Sequence, residues 1–173
     1  MFWSVALSLA VLAAPVVVYL AYRLMFPVNA ARRWRMHRAA MVRDVEDMAR
    51  AVASGGAHVT IWRARLYHRL LRAIRLAERN RLDVAAAAEQ GLRLLNLAAV
   101  VLILDRLRKR EDMPAPACWA MHGALLGIAG FAASPTHASE ALREAAARLP
   151  PEAERDARRL AESAEAMPEA AAG

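Results

Sequence analysis

The sequence predicts an all-α protein, with one N-terminal transmembrane helix followed by a cytoplasmic helical bundle of about five to six helices. Two observations predict this architecture. Residues 1–22 contain no charged side chain and no histidine, whereas arginine is frequent afterwards. Beyond residue 30 the apolar residues recur at three- and four-residue steps, the period of amphipathic helices, and no stretch shows the two-residue alternation of a strand.

The transmembrane helix is predicted over residues 1–26, because about 25 apolar residues form roughly 37 Å of helix, enough to cross a bilayer. Arginines follow this segment and none precedes it, so the positive-inside rule places its C-terminal side in the cytoplasm. The missing N-terminal charge also disfavours a cleaved signal peptide. Pro15 predicts a kink, and the carbonyl group that it frees needs a partner from other membrane helices.

The second and third helices are predicted to be amphipathic. The second runs over 30–53, capped by Asn29 and ended by Ser54-Gly55-Gly56, with Arg and Asp opposite a buried stripe. The third runs over about 60–80. The stripe residues are predicted to be Trp34, Met41, Val45, Met48 and Val52 in the second helix, and Ile61, Leu66, Leu70, Ile74 and Ala77 in the third.

The fourth helix, from the N-cap Asp83 to about Arg110, is predicted to be the core helix because its centre is apolar on nearly all sides, Leu92 included. Its strongly apolar run, residues 94–104, is too short to cross a membrane. A fifth helix is predicted from the prolines at 114 and 116 to about 132, and a sixth over 134–149. After Pro150-Pro151, the acidic segment 152–167 is predicted to be a helix with too few apolar positions to join the core firmly.

These elements divide the chain into a transmembrane helix at 1–26, a cytoplasmic helical domain at 27–149, and an acidic Ala/Glu-rich C-terminal helix or tail at 150–173. Residues 23–110 carry 19 basic and 7 acidic side chains, whereas residues 111–173 carry 5 and 10. A basic stretch beside a membrane anchor favours anionic lipid headgroups, and sparse aromatic interleaving disfavours nucleic acid. The candidate lipid-facing residues are Arg32, Arg33, Arg35, Arg65, Arg69 and Arg72.

The sequence predicts no catalytic, cofactor or metal site. The histidines form no paired metal motif, and the single Cys118 has no cysteine partner. Ser134 lacks the flanking glycines of a nucleophile elbow. Gly123, Gly127 and Gly130 indicate close helix packing rather than a phosphate loop. We therefore expect a non-enzyme. The five histidines are His37, His58, His68, His122 and His137.

Three consecutive segments resemble a known family. After the apolar helix come FPVNAARRWRMHRAAMVRDVEDMAR, WRARLYHRLLRAIRLAER and EQGLRLLNLAAVVLILDRLRKR. Over about residues 1–110 their order resembles the C-terminal end of the fusaric acid resistance (FUSC) family, the aromatic acid exporter-like efflux proteins. In that family a last membrane helix leads into a cytoplasmic helical region with a tryptophan and arginine segment like Trp62 to Arg72.

The resemblance implies efflux of small organic, aromatic acids across the bacterial inner membrane, commonly with a periplasmic adaptor protein. Family members are much longer, so the chain is expected to be a C-terminal fragment that is not competent alone. Its expected partners are membrane lipids and the other transmembrane helices of the transporter, and a homo-oligomer stays open. No substrate-contacting residue can be carried over from the resemblance.

Two functions therefore stay open. In the first, the chain is the C-terminal membrane helix and cytoplasmic helical domain of a FUSC-like exporter. In the second, it is a free-standing, single-pass membrane-anchored protein whose basic helical domain binds a partner or anionic lipid. A membrane-bound enzyme ranks behind both, because the chain offers few parts from which a catalytic site could be built.

Overall fold

The computed structural model describes residues 13–21, 30–56 and 59–172, and in these ranges it contains helices and turns but no strand. We label residues 13–21 helix α1. The other elements are α2 (Ala30–Ala53), α3 (Val59–Arg79), α4 (Val84–Arg108), α5 (Ala115–Ala129), α6 (Pro135–Arg148), a 3-10 turn (Pro151–Ala153) and α7 (Glu154–Ala172). The all-α prediction is confirmed for the described ranges. The helix count differs from the predicted five to six, because the described residues from Ala30 onward contain seven helical elements, the 3-10 turn included.

Helix α1 covers nine residues of the predicted transmembrane segment and includes Pro15. Its apolar side chains are exposed, with residues 16–20 between 49 and 67% exposed. The rest of the predicted segment lies outside the described residues, as do the predicted N-cap Asn29 and His58. The prediction of a membrane-spanning helix over 1–26 therefore stays a prediction.

Helices α2 and α3 form an antiparallel hairpin. The chain reverses at Gly55, whose φ of +82° is the left-handed conformation that glycine adopts without strain. The N–H of Gly56 donates to the carbonyl of Ala51 at 2.8 Å and closes the end of α2. This confirms the predicted stop of the second helix.

The buried stripes of the hairpin are mostly those predicted. In α2 the stripe is confirmed, although Trp34 is only partly buried. In α3, however, Ile61 is 59% exposed, so its predicted place in the core is wrong. Ile61 lies five residues before Leu66, or roughly 140° around the helix, which turns it away from the core. The buried residues are Met41, Val45, Met48 and Val52 in α2, and Leu66, Leu70, Ala73 and Ala77 in α3.

Helix α4 is the central helix, as predicted, and contacts α2, α3, α5 and α7. Asp83 caps it as predicted, with a side-chain oxygen that accepts from the N–H of Ala86 at 3.0 Å. Helix α4 ends at Arg108, two residues earlier than predicted. Leu92 is exposed instead of buried, because only part of the apolar circumference faces other helices. The buried residues are Ala87, Gly91, Leu94, Leu97, Ala98, Val100, Val101, Leu104 and Leu107.

Among the described residues, α4 is also the one helix that is long and apolar enough to cross a membrane. The prediction judged its apolar run too short, whereas the helix itself has 25 residues. Length and composition do not separate a membrane helix from the central helix of a bundle. Of its most apolar window, 44% is buried inside the structure, which fits the central position of α4.

Helices α5, α6 and α7 pack in sequence, and α5 also lies against α2. A Cβ atom placed on Gly127 would lie 3.1 Å from the Cα atom of Ala138 on α6, which agrees with the predicted close packing. The same atom on Gly123 would meet open space. Helix α5 ends at Ala129, earlier than predicted, because the N–H of Gly130 and of Phe131 bond to carbonyls three residues back.

Helix α7 joins the core, and the prediction of weak packing is wrong. Leu160, Ala164 and Met167 recur at four- and three-residue steps, and all three are buried. A stripe this narrow suffices because α7 packs on both α4 and α6. The hydroxyl of Ser139, which is itself buried, donates to the carbonyl of Ala164 at 2.8 Å and joins α6 to α7.

Candidate membrane-facing surface

The candidate surface is the basic outer side of the α2–α3 hairpin. Because the two helices are antiparallel, the beginning of α2 lies beside the end of α3. Residues 22–29 connect this end of the hairpin to α1. If α1 lies in a bilayer, these few residues keep the beginning of α2 and the end of α3 near its surface.

A buried acidic residue pairs with some of the arginines of this hairpin and not with others. Asp44 on α2 has a side chain that is only 7% exposed, and Nε of Arg69 on α3 lies 2.5 Å from its Oδ2. Nη2 of Arg69 donates to Oδ1 of Asp44 at 3.4 Å. Nη1 of Arg65 lies 4.0 Å from the same Oδ1. The aspartates of α2 were predicted to lie on its polar face, and for Asp44 this is wrong, because the residue lies at the α2–α3 contact.

Burial sets the protonation behaviour of Asp44. Removal of the carboxylate from water raises its pKa above the ordinary aspartate value, and Arg69 and Arg65 offset this only in part. The ion pair therefore links α2 and α3, and the burial of its acidic partner, Asp44, has a desolvation cost.

The six candidate lipid-facing arginines fall into three groups. Arg65 and Arg69 bind Asp44, so part of their charge is satisfied within the hairpin. Arg33, Arg35 and Arg72 are exposed, and no ion pair is recorded for them within the described residues. Arg32 is also exposed but has an interaction of its own. The lipid contact of all six residues stays a prediction.

Further arginines extend the exposed group beyond the candidate list. Arg75 and Arg79 follow Arg72 at three- and four-residue steps on α3, and both are exposed. Arg81 follows in the turn. The helical spacing from Arg72 was the signal that could have added Arg75 to the candidate list. Together these residues make the end of α3 beside the beginning of α2 strongly basic.

Exposed apolar side chains lie among these arginines. Met36 on α2 and Leu71 on α3 are each more than half exposed. Large apolar side chains beside cations are typical of helices that lie against a membrane surface, where the cations contact headgroups and the apolar groups enter the interface. The surface therefore combines exposed cations with exposed apolar side chains.

In the tryptophan and arginine segment of α3, Trp62 to Arg72, two arginines contact aromatic rings. The guanidinium carbon of Arg65 lies 5.0 Å from the ring centroid of Trp62. That of Arg63 lies 5.8 Å from the ring centroid of Tyr67. These distances are within the range of cation–π contacts, so the segment orders two of its arginines.

The described residues contain no group of three or more His, Cys, Asp or Glu side chains that could hold a metal ion. Cys118 is a free, half-buried thiol whose Sγ lies 3.9 Å from the carbonyl oxygen of Met113.

The chain matches a known protein family over most of its length. The sequence model of the fusaric acid resistance protein family, FUSC, matches residues 4–173. No curated protein and no solved structure matches the chain. The family match continues past residue 110, where the resemblance read from the sequence ended, and it includes α5, α6 and α7.

Proposed function

The chain belongs to the fusaric acid resistance protein family, a family of membrane transporters, and from this premise we propose that it forms the C-terminal membrane helix and cytoplasmic helical domain of an inner-membrane efflux transporter. The transported compounds are small organic, aromatic acids. The chain acts together with further transmembrane helices of the transporter and is not competent for efflux alone. A periplasmic adaptor protein completes the export path.

One observation carries this proposal. Five consecutive apolar residues of α1, residues 16–20, are about half exposed or more. A contiguous apolar surface of this kind needs lipid or another apolar helix around it. The sequence-based expectation of a carbonyl group freed by Pro15 adds a second requirement, because lipid cannot satisfy such a group but a neighbouring helix can. Both requirements are met if α1 is one helix of a larger membrane bundle.

The basic end of the α2–α3 hairpin supports the proposed orientation. Each arginine near an anionic membrane surface contributes roughly 1 kcal/mol of attraction, and Arg33, Arg35, Arg72 and Arg75 are all exposed. The cytoplasmic leaflet carries the anionic lipids, so the helical domain lies on that side. The buried core around α4 gives the domain a rigid body that braces the membrane helices.

Labelling of a single cysteine in intact cells tests the orientation. The chain has one cysteine, Cys118, so Cys118→Ser followed by Ala147→Cys places one thiol on the exposed side of α6. A membrane-impermeant maleimide should label this thiol only after the cells are opened. Labelling in intact cells would place the domain in the periplasm and contradict the proposal.

Efflux itself is tested in the bacterium that carries the gene. Deletion of the gene should raise the intracellular accumulation of a radiolabelled aromatic acid, and the complete reading frame should restore low accumulation. A chain that begins at residue 27 should fail to restore it, because α1 is then missing. Unchanged accumulation in the deletion strain, across a panel of aromatic acids, would contradict an efflux function.

The second candidate function is the free-standing membrane anchor, in which the basic surface binds anionic lipid or a partner. The exposed Leu71, beside Arg72 and Arg75 on α3, favours it. The genomic context separates the two functions. An upstream reading frame that continues into Met1 and encodes further hydrophobic helices supports the transporter, whereas a promoter and a ribosome-binding site directly before Met1 support the anchor.

A further inference from the structure

Helix α4 has one side that no other helix covers. It contacts α2, α3, α5 and α7, and in the part of the chain that the structure describes no contact joins α3 to α7. The side of α4 between these two helices is therefore open. Two grooves, of about 370 and 210 Å³, lie along its edges, one beside α7 and the other beside α3. Ala99 is exposed and lines both grooves.

The open side of α4 carries a regular stripe of side chains. Asn96, Ala99 and Ile103 follow one another at three- and four-residue steps, and the first two are exposed. Leu92 and Arg106 continue the same steps toward the two ends of the stripe, where an interface is more open to water. Alternating steps of three and four residues are the spacing at which two helices meet in a coiled coil. The stripe is therefore suited to contact with one further helix.

Two residues of the stripe indicate what this further helix is. A single Asn in the seam of a coiled coil fixes the register and the number of chains, because it can pair with the same Asn of an identical chain. The amide of Asn96 has no recorded hydrogen bond in the described ranges. Ala99, one turn away, is small enough for two helices to approach closely. Both residues fit the α4 helix of a second copy of the chain.

Charges on the two flanking helices favour a parallel pairing. Arg63 of α3 lines one groove beside Ala99, and Glu162 of α7 lines the other. Both are exposed, and the described residues include no ion-pair partner for either. A two-fold axis parallel to α4 places α3 of each copy beside α7 of the other, so Arg63 of one copy faces Glu162 of the other, twice. A two-fold axis across α4 would instead place the arginine-rich α3 helices against each other.

Arg159, the other charged residue of α7 in this groove, lies at a different level. Helix α7 is antiparallel to α4, because Asp156 bonds to Arg106 near the end of α4. Arg159 therefore lies one turn from Glu162 toward the end of α4. In the parallel pairing it faces the beginning of α3, residues 59–62, which contains no charged side chain.

We propose that the chain forms a parallel homodimer, in which the α4 stripes of two copies face each other and Arg63 pairs with Glu162 across both edges of the interface. This arrangement places the beginnings of both α2 helices at the same end of the dimer, so the two α1 helices are able to enter one membrane. The proposal goes beyond the transport function, because the dimer forms whether or not the chain takes part in efflux.

Disulfide cross-linking of the full chain in membrane vesicles tests the interface. Cys118→Ser removes the only cysteine, and Asn96→Cys, Ala99→Cys or Ile103→Cys then places one thiol on the stripe. After oxidation with copper phenanthroline, each of these three variants should run as a dimer on a non-reducing gel, because a parallel two-fold pairing puts each thiol beside its own copy. Ala147→Cys, on the exposed side of α6, is the matched control and should remain a monomer.

Two outcomes of the cross-linking would overturn the proposal. Cross-links at only one of the three positions would mean that the α4 helices cross or run antiparallel. Cross-links at none of them would exclude the interface. If the three thiols are then also protected from a water-soluble maleimide, lipid rather than a second copy covers the stripe.

A charge exchange tests the pairing of the flanking helices. Arg63→Glu should raise the dissociation constant of the dimer on the order of tenfold, because two ion pairs become two like-charge pairs. Arg63→Glu combined with Glu162→Arg should restore it. Arg72→Glu is the matched control, since Arg72 lies nine residues from Arg63, or roughly two and a half turns, and faces the opposite side of α3.

Energy transfer between fluorescently labelled copies of the full chain, measured on dilution in detergent micelles, gives the dissociation constant of each variant. An unchanged constant for Arg63→Glu, or a combined variant that stays as weak as the single one, would contradict the contact between Arg63 and Glu162.

Discussion

Arg69 of α3 and Asp44 of α2 form an ion pair whose Nε and Oδ2 atoms lie 2.5 Å apart. Asp44 is the only buried acidic side chain among the described residues. The pair therefore joins α2 and α3 in addition to their buried apolar stripes. It also distinguishes Arg65 and Arg69, which face Asp44, from arginines such as Arg72, which do not.

Removal of Arg69 should destabilise the protein, whereas removal of Arg72 should not. Arg69→Ala leaves the buried carboxylate of Asp44 with only Arg65 nearby, which costs about 1–3 kcal/mol of unfolding free energy. Arg72→Ala removes an exposed arginine of the same helix and should change the unfolding free energy by about 0.5 kcal/mol or less. Urea unfolding of the full chain in detergent micelles measures both. Equal stability of the two variants would contradict the structural role of Arg69.

The stability of the protein should depend on pH through Asp44. Burial raises the pKa of this carboxyl group, so the folded state keeps its proton at pH values where the unfolded chain has lost it. The stability that the protonated Asp44 contributes is therefore fully present below the pKa of the unfolded chain, about 3.9. It declines as the pH rises through the pKa of the folded state. Asp44→Asn removes this dependence. The unfolding free energies of the native chain and of Asp44→Asn are compared from pH 4 to neutrality. As the pH rises, the native chain should lose stability relative to the variant. A relative gain would contradict the raised pKa.

The periodicity of apolar residues predicted most of the fold, because a helix that buries one stripe has to show that stripe in its sequence. The amphipathic helices α2 and α3 and the core role of α4 followed from it, whereas the cap at Asp83 was predicted from the residue type at the start of the helix. The failures have local causes. Ile61 is apolar but lies outside the three- and four-residue register, and the core role of α7 rests on three residues, of which Ala164 gives a weak signal. Asp44 was assigned to the polar face because a single-helix pattern does not show the arginines of a neighbouring helix.

The candidate surface was only partly accessible to sequence reasoning. The excess of arginine between residues 23 and 110 identified the basic region, but composition alone could not show which arginines have partners. Arg65 and Arg69 face an acid that is more than 20 residues away in the chain, so only the folded hairpin shows that they are engaged.

Shortening of a buried leucine in α4 tests its central position. Leu104 is completely buried, and Leu104→Ala should cost about 2–5 kcal/mol through lost burial and the cavity that remains. Leu92→Ala is the matched control on the same helix, because Leu92 is 53% exposed and should contribute little. Thermal unfolding followed by circular dichroism measures the two variants. Similar midpoints would show that α4 is not the core of the bundle.

The place of α7 in the core is tested in the same way. Leu160 is completely buried, although the acidic composition around it predicted weak packing. Leu160→Ala should cost about 2–5 kcal/mol, and removal of the chain after residue 149 should also expose Leu142 and leave the buried hydroxyl of Ser139 without its acceptor on Ala164. The expected result is a lower unfolding midpoint for both variants. An unchanged midpoint for the shortened chain would show that α7 packs too weakly to contribute.

Two glycines of α5 provide the last test, since they differ only in what faces them. Replacement of glycine by alanine inside a helix gains about 1 kcal/mol of helix propensity when space is free. Gly123→Ala should show this gain, because its new Cβ meets open space. At Gly127 the new Cβ lies 3.1 Å from the Cα atom of Ala138 and 3.3 Å from the Cβ atom of Ala141. Helix α6 must then move away, at a cost of about 1–3 kcal/mol for overpacking, and this strain should cancel or exceed the propensity gain. Urea unfolding of the two variants under identical conditions should therefore find Gly127→Ala the less stable one, and equal stability would mean that α5 and α6 do not approach each other closely at Gly127.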